Sequence, residues 1–169
     1  MKKIFEWWYT WRLKKKYGDY IYLELGPGRI AEPRGHATLG LNRSADPFCD
    51  IYWNLERGIP LRSRSVDFIY SNQVLEHVAR KIKLMNEFWR VLKSDGKMKH
   101  CVPDYRSEWA YADPTHLSVF TPKSFLYFSQ REDGTPFVER FSDYGIECNF
   151  ITRVHVRPGV DITVEMTKP

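Results

Sequence analysis

The chain has 169 residues, of which 43% are hydrophobic and 28% are charged, as is typical of globular proteins. This length predicts one domain with a buried core. No stretch approaches the eighteen or so consecutive apolar residues of a membrane span, so we expect a soluble protein.

The net charge of +5 is unevenly distributed along the chain. Residues 1–18 hold six basic residues against one acidic residue, and the other 151 residues are neutral overall. A nucleic-acid-binding protein normally spreads basic charge over a face of the folded domain. We therefore expect no nucleic-acid partner, and we divide the chain into an arm, residues 1–18, and a domain, residues 19–169.

The arm is predicted to be helical, because its large apolar residues recur at helical spacing beside a lysine run. They are Ile4, Trp7, Trp8 and Trp11, followed by Lys14, Lys15 and Lys16. We favour an arm that packs on the domain or closes over a bound ligand. The alternative is peripheral contact with an anionic membrane, where interfacial aromatic residues and lysines are both favourable.

The cysteines are odd in number and widely spaced, at Cys49, Cys101 and Cys148. They form no C-x-x-C pair, and each lies in strand-like apolar surroundings. Free thiols in a reducing compartment fit this pattern, which predicts a cytoplasmic protein.

Short apolar runs alternate with helical stretches, which predicts an α/β fold, Rossmann-like, with a mainly parallel sheet. One long amphipathic helix is expected from Val74 to Leu92, with Gly96 as its left-handed cap, and a short helix from Pro122 to 130. Pro158 and Gly159 predict a C-terminal antiparallel hairpin. The expected strands are 20–25, 37–41, 50–53, 66–70, 97–102, 148–156 and 160–166.

A glycine turn follows the first predicted strand, and Gly26 to Ala31 match the dinucleotide pattern G-x-G-x-x-G/A. Only eight residues separate Gly28 from the next strand, and Pro33 and Gly35 lie among them. The first helix is therefore predicted to be reduced, with little to offer a pyrophosphate. A nucleoside without phosphate fits better, and S-adenosylmethionine is such a ligand. Glu24 would favour its ammonium and sulfonium charges.

At these residues the chain resembles the class I S-adenosylmethionine-dependent methyltransferases. Within that class it is most similar to small methyltransferase-like proteins associated with polysaccharide and glycan biosynthesis. The segments that carry the resemblance are YLELGPG, SVDFIYSNQVLEHV, LMNEFWRVLKSDGKM and VPDYRSEWAYADPTHLSVFTPKSF. The resemblance covers residues 20–130 and implies a seven-stranded sheet.

The resemblance also implies a set of cofactor-binding residues at the ends of the first four strands. They are Glu24, Gly26, Pro27, Gly28, Asn42, Asn54, Leu55, Ser71 and Asn72. Asn42 and Asn54 stand where the family commonly has acids for the ribose hydroxyls and the adenine amine. An amide cannot supply a charge-assisted grip, so we expect a loss of about 1 to 2 kcal/mol of binding energy at each site.

His116 is the candidate general base for a hydroxyl acceptor, and Asp113 is the residue that orients it or raises its basicity. Both fall in a loop after the fifth strand, on the side where open α/β sheets bind ligands. Asp104, at the end of that strand, is the third candidate catalytic residue. Structural roles for all three are the alternative. Together they could hold Mg²⁺, but such spacing is nonspecific, and no metal site is predicted.

Glu76 and His77 are expected at the start of the long helix, where an acid is favoured by the positive helix end. Contact between His77 and the acceptor is the less favoured interpretation.

The predicted function is O-methylation of a small-molecule or carbohydrate (glycan) hydroxyl by an S-adenosylmethionine-dependent methyltransferase. The alternatives are an N- or carboxyl-methyltransferase of the same fold and a non-catalytic cofactor-binding partner subunit. A dehydrogenase is disfavoured by the interrupted first helix.

Overall fold

The computed structural model describes residues 11, 15–16, 18–28, 38–44, 48–139 and 141–169. Most of the arm and the segment of the predicted reduced helix, residues 29–37, lie outside the described residues. The predictions for the arm, including membrane contact, therefore remain predictions.

One seven-stranded sheet organises the chain, as predicted. Its strands in chain order are β1 (Tyr22–Leu25), β2 (Thr38–Asn42), β3 (Ile51–Tyr52), β4 (Val66–Asn72), β5 (Leu92–Pro103), β6 (Ile151–Arg157) and β7 (Asp161–Thr167). The order across the sheet is β3-β2-β1-β4-β5-β7-β6. Strands β1 to β5 pair in parallel, whereas β7 pairs antiparallel with both β5 and β6. The predicted fold class is confirmed.

Strand β1 lies between β2 and β4, so the strand order reverses at this point. In open α/β sheets a crevice forms at such a reversal, outside the carboxyl ends of the strands. The residues of the glycine turn leave β1 at this edge. The topology therefore places the turn where a ligand can reach its backbone.

The long helix spans Lys81–Val91, and not the predicted residues from Val74. Its buried side chains, Leu84, Met85, Phe88 and Val91, lie on one face, as the periodicity required. Before it the chain forms a 3-10 turn, Leu75–His77.

The physical reason for the later start is the Glu56 carboxylate. It accepts hydrogen bonds from the backbone amides of Ala79 and Arg80, at 2.6 and 3.2 Å. Those amides are left without intrahelical acceptors at a helix N-terminus, so Glu56 caps the helix from another segment.

The long helix ends where Leu92 turns to extended geometry and begins β5. Asp95 takes the left-handed conformation, at φ 61°, so the prediction that Gly96 would do so is wrong. The predicted short helix is present as a 3-10 helix, Pro122–Phe128. A second short helix, Trp109–Ala112, was not predicted.

The core is continuous along the sheet and under the long helix. Its largest fully buried side chains include Phe88, Phe125 and Phe150, together with branched residues of β1, β2 and β4. All three cysteines are free, and Cys148 is buried, whereas Cys49 and Cys101 are partly exposed. Among the described residues no helix has the length and apolar character to cross a membrane.

Candidate functional site

A cavity of about 300 Å³ lies at the carboxyl ends of the first four strands. This volume is at the lower end of the range of about 300 to 1,000 Å³ that holds small-molecule ligands. Four of the predicted cofactor-binding residues line it, namely Gly26, Asn42, Asn54 and Leu55. Its other lining residues are Leu41, Arg43, Trp53, Glu56, Gln73, Val74, His77 and Val78.

Gly26 is shaped to bring bare backbone to the cavity. It adopts φ 60°, and its amide donates to the Leu41 carbonyl at 2.8 Å, which ties the turn to β2. A Cβ at this position would lie 2.7 Å from Cγ2 of Val74, closer than real Cβ contacts. A side chain at position 26 is therefore disfavoured by the positive φ and also by the close contact with Val74.

Asn54 and Asn42 both reach the cavity with their amide oxygens already engaged. Asn54 Oδ1 accepts from the Glu56 amide at 3.0 Å, as the cap of the 3-10 helix Leu55–Arg57, and Asn42 Oδ1 accepts from the Arg43 amide at 2.7 Å. A carbonyl oxygen has two lone pairs, so Asn54 Oδ1 can accept a second hydrogen bond.

The remaining predicted cofactor residues do not line the cavity. Glu24 and Pro27 are buried, whereas Gly28, at φ 68°, and Asn72 are exposed. Ser71 is fully buried, and its Oγ lies 2.7 Å from Nδ1 of His100. The Ser71 hydroxyl therefore belongs to the interior of the sheet, and the place of Ser71 among the cofactor-binding residues stays a prediction.

The predicted catalytic loop reaches the cavity through one histidine pair. His77 lines the cavity, and its ring packs edge to face on that of His116, with centroids 4.7 Å apart. The His116 side chain is only 9% exposed, and its Nδ1 lies 3.1 Å from the Ala110 carbonyl. That carbonyl can only accept, so Nδ1 carries the hydrogen and Nε2 keeps a lone pair.

Asp113 takes part mainly as a turn-forming residue. Its Oδ1 accepts from the backbone amide and the hydroxyl of Thr115, at 2.8 and 2.6 Å, and these bonds hold the pKa of the carboxyl below its usual value. Its Oδ2 lies 3.9 Å from His116 Nε2, which is too far for a hydrogen bond. At this distance Asp113 does not orient the ring through a hydrogen bond, and its predicted effect on the basicity of His116 stays a prediction.

Asp104 is fully buried away from this pair. Burial opposes its ionisation, but its Oδ2 accepts from the Gly159 amide at 2.7 Å and from Arg106 at 2.8 Å, and these bonds lower its pKa. This carboxylate joins the end of β5 to the turn between β6 and β7, and its predicted catalytic role stays a prediction.

Glu76 is the acid that sequence reasoning assigned only to a helix end. It is fully buried, and the residues around it give neither carboxylate oxygen a hydrogen-bond partner. Burial raises its pKa, partly offset by the Glu76 backbone amide and by the nearby His77 and His116. A carboxylate in this position needs a proton or a cation to compensate it.

Several lining residues were missed because their side chains reach the cavity from turns. Arg43 directly follows β2, Glu56 comes three positions after the predicted third strand, 50–53, and Gln73 takes φ 54° just after β4. Trp53 was counted only as part of a strand, yet it lines the cavity while its Nε1 donates to the Gly58 carbonyl. Polar residues one to three places after each strand end would have been the useful pattern.

The cavity and its topology agree with comparisons to known proteins. A family profile described as a methyltransferase domain matches residues 12–99, which is more than half of the chain. A search of curated proteins gives no match.

Many solved structures share the fold. A SAM dependent methyltransferase from Archaeoglobus fulgidus is 14% identical with a TM-score of 0.65, and 99% of this chain and 95% of that chain are covered. One from Aquifex aeolicus is 13% identical with a TM-score of 0.59, covering 95% and 89%.

A third solved structure is an N-methyltransferase. The Burkholderia thailandensis 1,6-didemethyltoxoflavin-N1-methyltransferase is 14% identical with a TM-score of 0.56, covering 94% of this chain and 76% of that one. The predicted enzyme class, an S-adenosylmethionine-dependent methyltransferase, is confirmed. The chain belongs to the family of methyltransferase domains.

Proposed function

We propose that the cavity binds S-adenosylmethionine and that the protein methylates a hydroxyl of a small-molecule or carbohydrate acceptor. The observation that carries the proposal is the cavity at the reversal of strand order, lined by Gly26 with its bare backbone. Asn42 and Asn54 supply amide groups, and Leu55 an apolar surface. The Burkholderia enzyme, which shares the fold, binds S-adenosylhomocysteine, the demethylated product of this cofactor.

The chemical character of the lining supports a nucleoside without phosphates. Five lining residues are apolar or aromatic, and among the described lining residues Arg43 alone carries a positive charge at every physiological pH. A pyrophosphate would call for several cations or a helix N-terminus. The amides can donate and accept, which suits ribose hydroxyls and adenine.

The cofactor supplies an electrophilic methyl group on a sulfonium. A hydroxyl acceptor must lose its proton as the new O–C bond forms and the S–C bond breaks. His116 Nε2 is the proposed proton acceptor, since Nδ1 is committed to the Ala110 carbonyl and fixes the tautomer. His77, between this ring and the cavity, is the proposed contact for the acceptor oxygen.

An amine acceptor is the second candidate, favoured by the N-methyltransferase among the proteins of this fold. A neutral amine attacks without prior loss of a proton, so it needs no base at His116. The two candidates therefore differ in their dependence on that imidazole. For a carbohydrate acceptor, Trp109 and Tyr111 of the short helix Trp109–Ala112 are exposed and available to stack on a sugar ring.

Calorimetric titration with S-adenosylhomocysteine and with NAD tests the cofactor. We expect binding of the first and none of the second; NAD binding, or neither ligand binding, would overturn the proposal. Labelled S-adenosylmethionine with paired hydroxyl and amine acceptors then tests the acceptor. His116→Ala should lower kcat for hydroxyl acceptors by about 10²- to 10⁴-fold and leave S-adenosylhomocysteine binding unchanged. Equal rates for wild type and variant would remove the base role.

A further inference from the structure

Three potential metal ligands converge beside the cavity. Glu76, His77 and His116 each offer one ligand atom, and these atoms lie within 4.8 Å of one another. Glu76 and His77 come from the 3-10 turn after β4, and His116 comes from the loop after β5. A hydrogen bond from the Leu117 amide to the Glu76 carbonyl, at 2.8 Å, holds the turn and the loop together.

The Glu76 carboxylate lacks a compensating group. It is fully buried, and its two oxygens have no hydrogen-bond partner among the described residues. Burying a carboxylate in this way costs free energy unless a charge or a donor compensates it. The imidazoles of His77 and His116 lie beside this carboxylate. A ring nitrogen can donate a hydrogen bond to it only if that nitrogen carries a hydrogen, so the positions of the ring hydrogens decide whether the imidazoles can compensate it.

Both imidazoles are held with their lone pairs free. His77 Nδ1 lies 3.3 Å from the Thr115 carbonyl and 3.0 Å from the Thr115 hydroxyl, which itself donates to Asp113. His116 Nδ1 lies 3.1 Å from the Ala110 carbonyl. Each Nδ1 therefore carries the hydrogen and donates it. Each Nε2 is left with a lone pair, the arrangement in which histidine binds metals.

We propose that Glu76, His77 and His116 bind one divalent transition-metal cation. Three lone-pair groups meet here, and a cation satisfies all of them at once. Two imidazoles with one carboxylate suit Zn²⁺, Mn²⁺ or Fe²⁺, whereas Mg²⁺ and Ca²⁺ prefer all-oxygen sites. Three protein ligands leave coordination positions open, as in catalytic metal sites.

Binding requires the cluster to contract. Ligand atoms about 2.0 to 2.2 Å from a zinc ion lie roughly 3 to 3.5 Å apart, which is less than the observed limit of 4.8 Å. Glu76 is fully buried and the His116 ring is nearly so, whereas His77 is exposed. His77 is therefore the ligand that moves, and it is also the one that lines the cavity.

The role of the cation in catalysis rests on the proposed function, but its binding does not. A bound cation lowers the pKa of a hydroxyl or water in an open position. The acceptor hydroxyl would then lose its proton to solvent water and attack as the cation-bound alkoxide, in place of transferring the proton to His116, whose lone pair is used as a ligand. Chelation would separate the two routes, because the imidazole route survives it.

The test is binding of Co²⁺, Zn²⁺, Mn²⁺ and Mg²⁺ to chelator-stripped protein, without cofactor or acceptor. Co²⁺ is followed by visible absorption, the others by calorimetry. We expect one site, and a loss of affinity of at least about tenfold in Glu76→Gln and in His77→Ala. His155→Ala is the matched control, since His155 is exposed on β6, and its affinity should equal that of wild type.

The thermal midpoint of the metal-free Glu76→Gln variant excludes unfolding as the cause of lost binding. A neutral amide is cheaper to bury than a carboxylate, so we expect a midpoint at or above that of wild type. The proposal is overturned if wild type binds no tighter than Glu76→Gln, if His155→Ala loses as much affinity, or if Mg²⁺ alone binds. S-adenosylhomocysteine titration of the same protein distinguishes failure here from failure of the proposed function.

Discussion

The ring of His77 meets the ring of His116 edge to face, at a centroid distance of 4.7 Å and an interplanar angle of 69°. One ring belongs to the wall of the cavity and the other to the loop after β5. This contact places the predicted acceptor chemistry beside the predicted cofactor site, although 39 positions separate the two histidines in the sequence.

Gly26→Ala is expected to destabilise the protein more than Gly28→Ala. Both glycines have positive φ, so each alanine incurs strain of about 1 to 2 kcal/mol. Gly26→Ala adds a contact at 2.7 Å with Val74, whereas a Cβ at Gly28 meets no described residue within 4 Å. Urea unfolding of both variants measures the difference.

The double variant Gly26→Ala, Val74→Ala is the control for this contact. Removing the Val74 methyl groups should remove the contact with the new Cβ. The loss of unfolding free energy caused by Gly26→Ala should then approach the loss due to backbone strain alone. An equal loss in the two single variants would contradict the close approach of Gly26 to Val74.

Stability should fall below neutral pH because of His100. Burial lowers the pKa of its imidazole from 6.5 to about 3. Between these values the unfolded chain binds one more proton than the folded protein, so the free energy of unfolding falls as the pH falls. The expected slope is about 1.4 kcal/mol per pH unit.

His100→Asn removes the titrating group while leaving an amide to pair with the Ser71 hydroxyl. Urea unfolding between pH 4 and pH 7 should show a flatter pH dependence in this variant than in wild type. Parallel curves would mean that His100 is not the group responsible. The acids with lowered pKa values titrate below 3.8 and are present in both proteins. They therefore do not contribute to the difference between the two curves.

Arg90→Lys should cost about 1 to 2 kcal/mol of stability. The guanidinium donates to the carbonyls of Ile59 and Leu61, both at 2.8 Å, and pairs with Glu87 at 2.7 Å. A lysine ammonium cannot span these acceptors with the same planar geometry. Arg80→Lys, at an exposed position, is the matched control and should change stability by less than about 0.5 kcal/mol. Equal effects would contradict the assigned contacts.

Asn54→Asp should tighten binding of S-adenosylhomocysteine by roughly five- to thirtyfold, which corresponds to about 1 to 2 kcal/mol. A carboxylate keeps the cap on the Glu56 amide and adds a charge-assisted acceptor at the cavity. Calorimetry measures the change, and Asn149→Asp, away from the cavity lining, serves as the control. Weaker binding than wild type would show that Asn54 does not face a donor of the ligand.

Much of the sheet could be predicted because its strands are local apolar runs ended by turns. The long helix was placed too early for a physical reason. The spacing of Val74 and Val78 fits a helix. It fits equally well a 3-10 turn between them that is followed by an extended residue. The choice is made by Glu56, whose carboxylate holds Ala79 and Arg80 from more than twenty residues away. The spacing of apolar residues within the segment cannot reveal a contact with a residue outside the segment.

The lining of the cavity was predictable where the position of a residue at a strand end decides whether it reaches the cavity, as for Gly26, Asn42 and Asn54. It was not predictable where a distant segment takes the side chain. Asp104 follows a strand end, but the Gly159 amide occupies its carboxylate. Ser71 follows the same rule, but the sheet turns its hydroxyl towards His100.

The interior position of β7 also constrains the order in which the domain can form. This strand fills the gap between β5 and β6, although it is the last of the seven to be synthesised. Until it leaves the ribosome, β5 presents an unpaired edge that another nascent chain could join. Protection of that edge during translation, by a chaperone or by slow elongation, would then decide how much active protein a cell recovers.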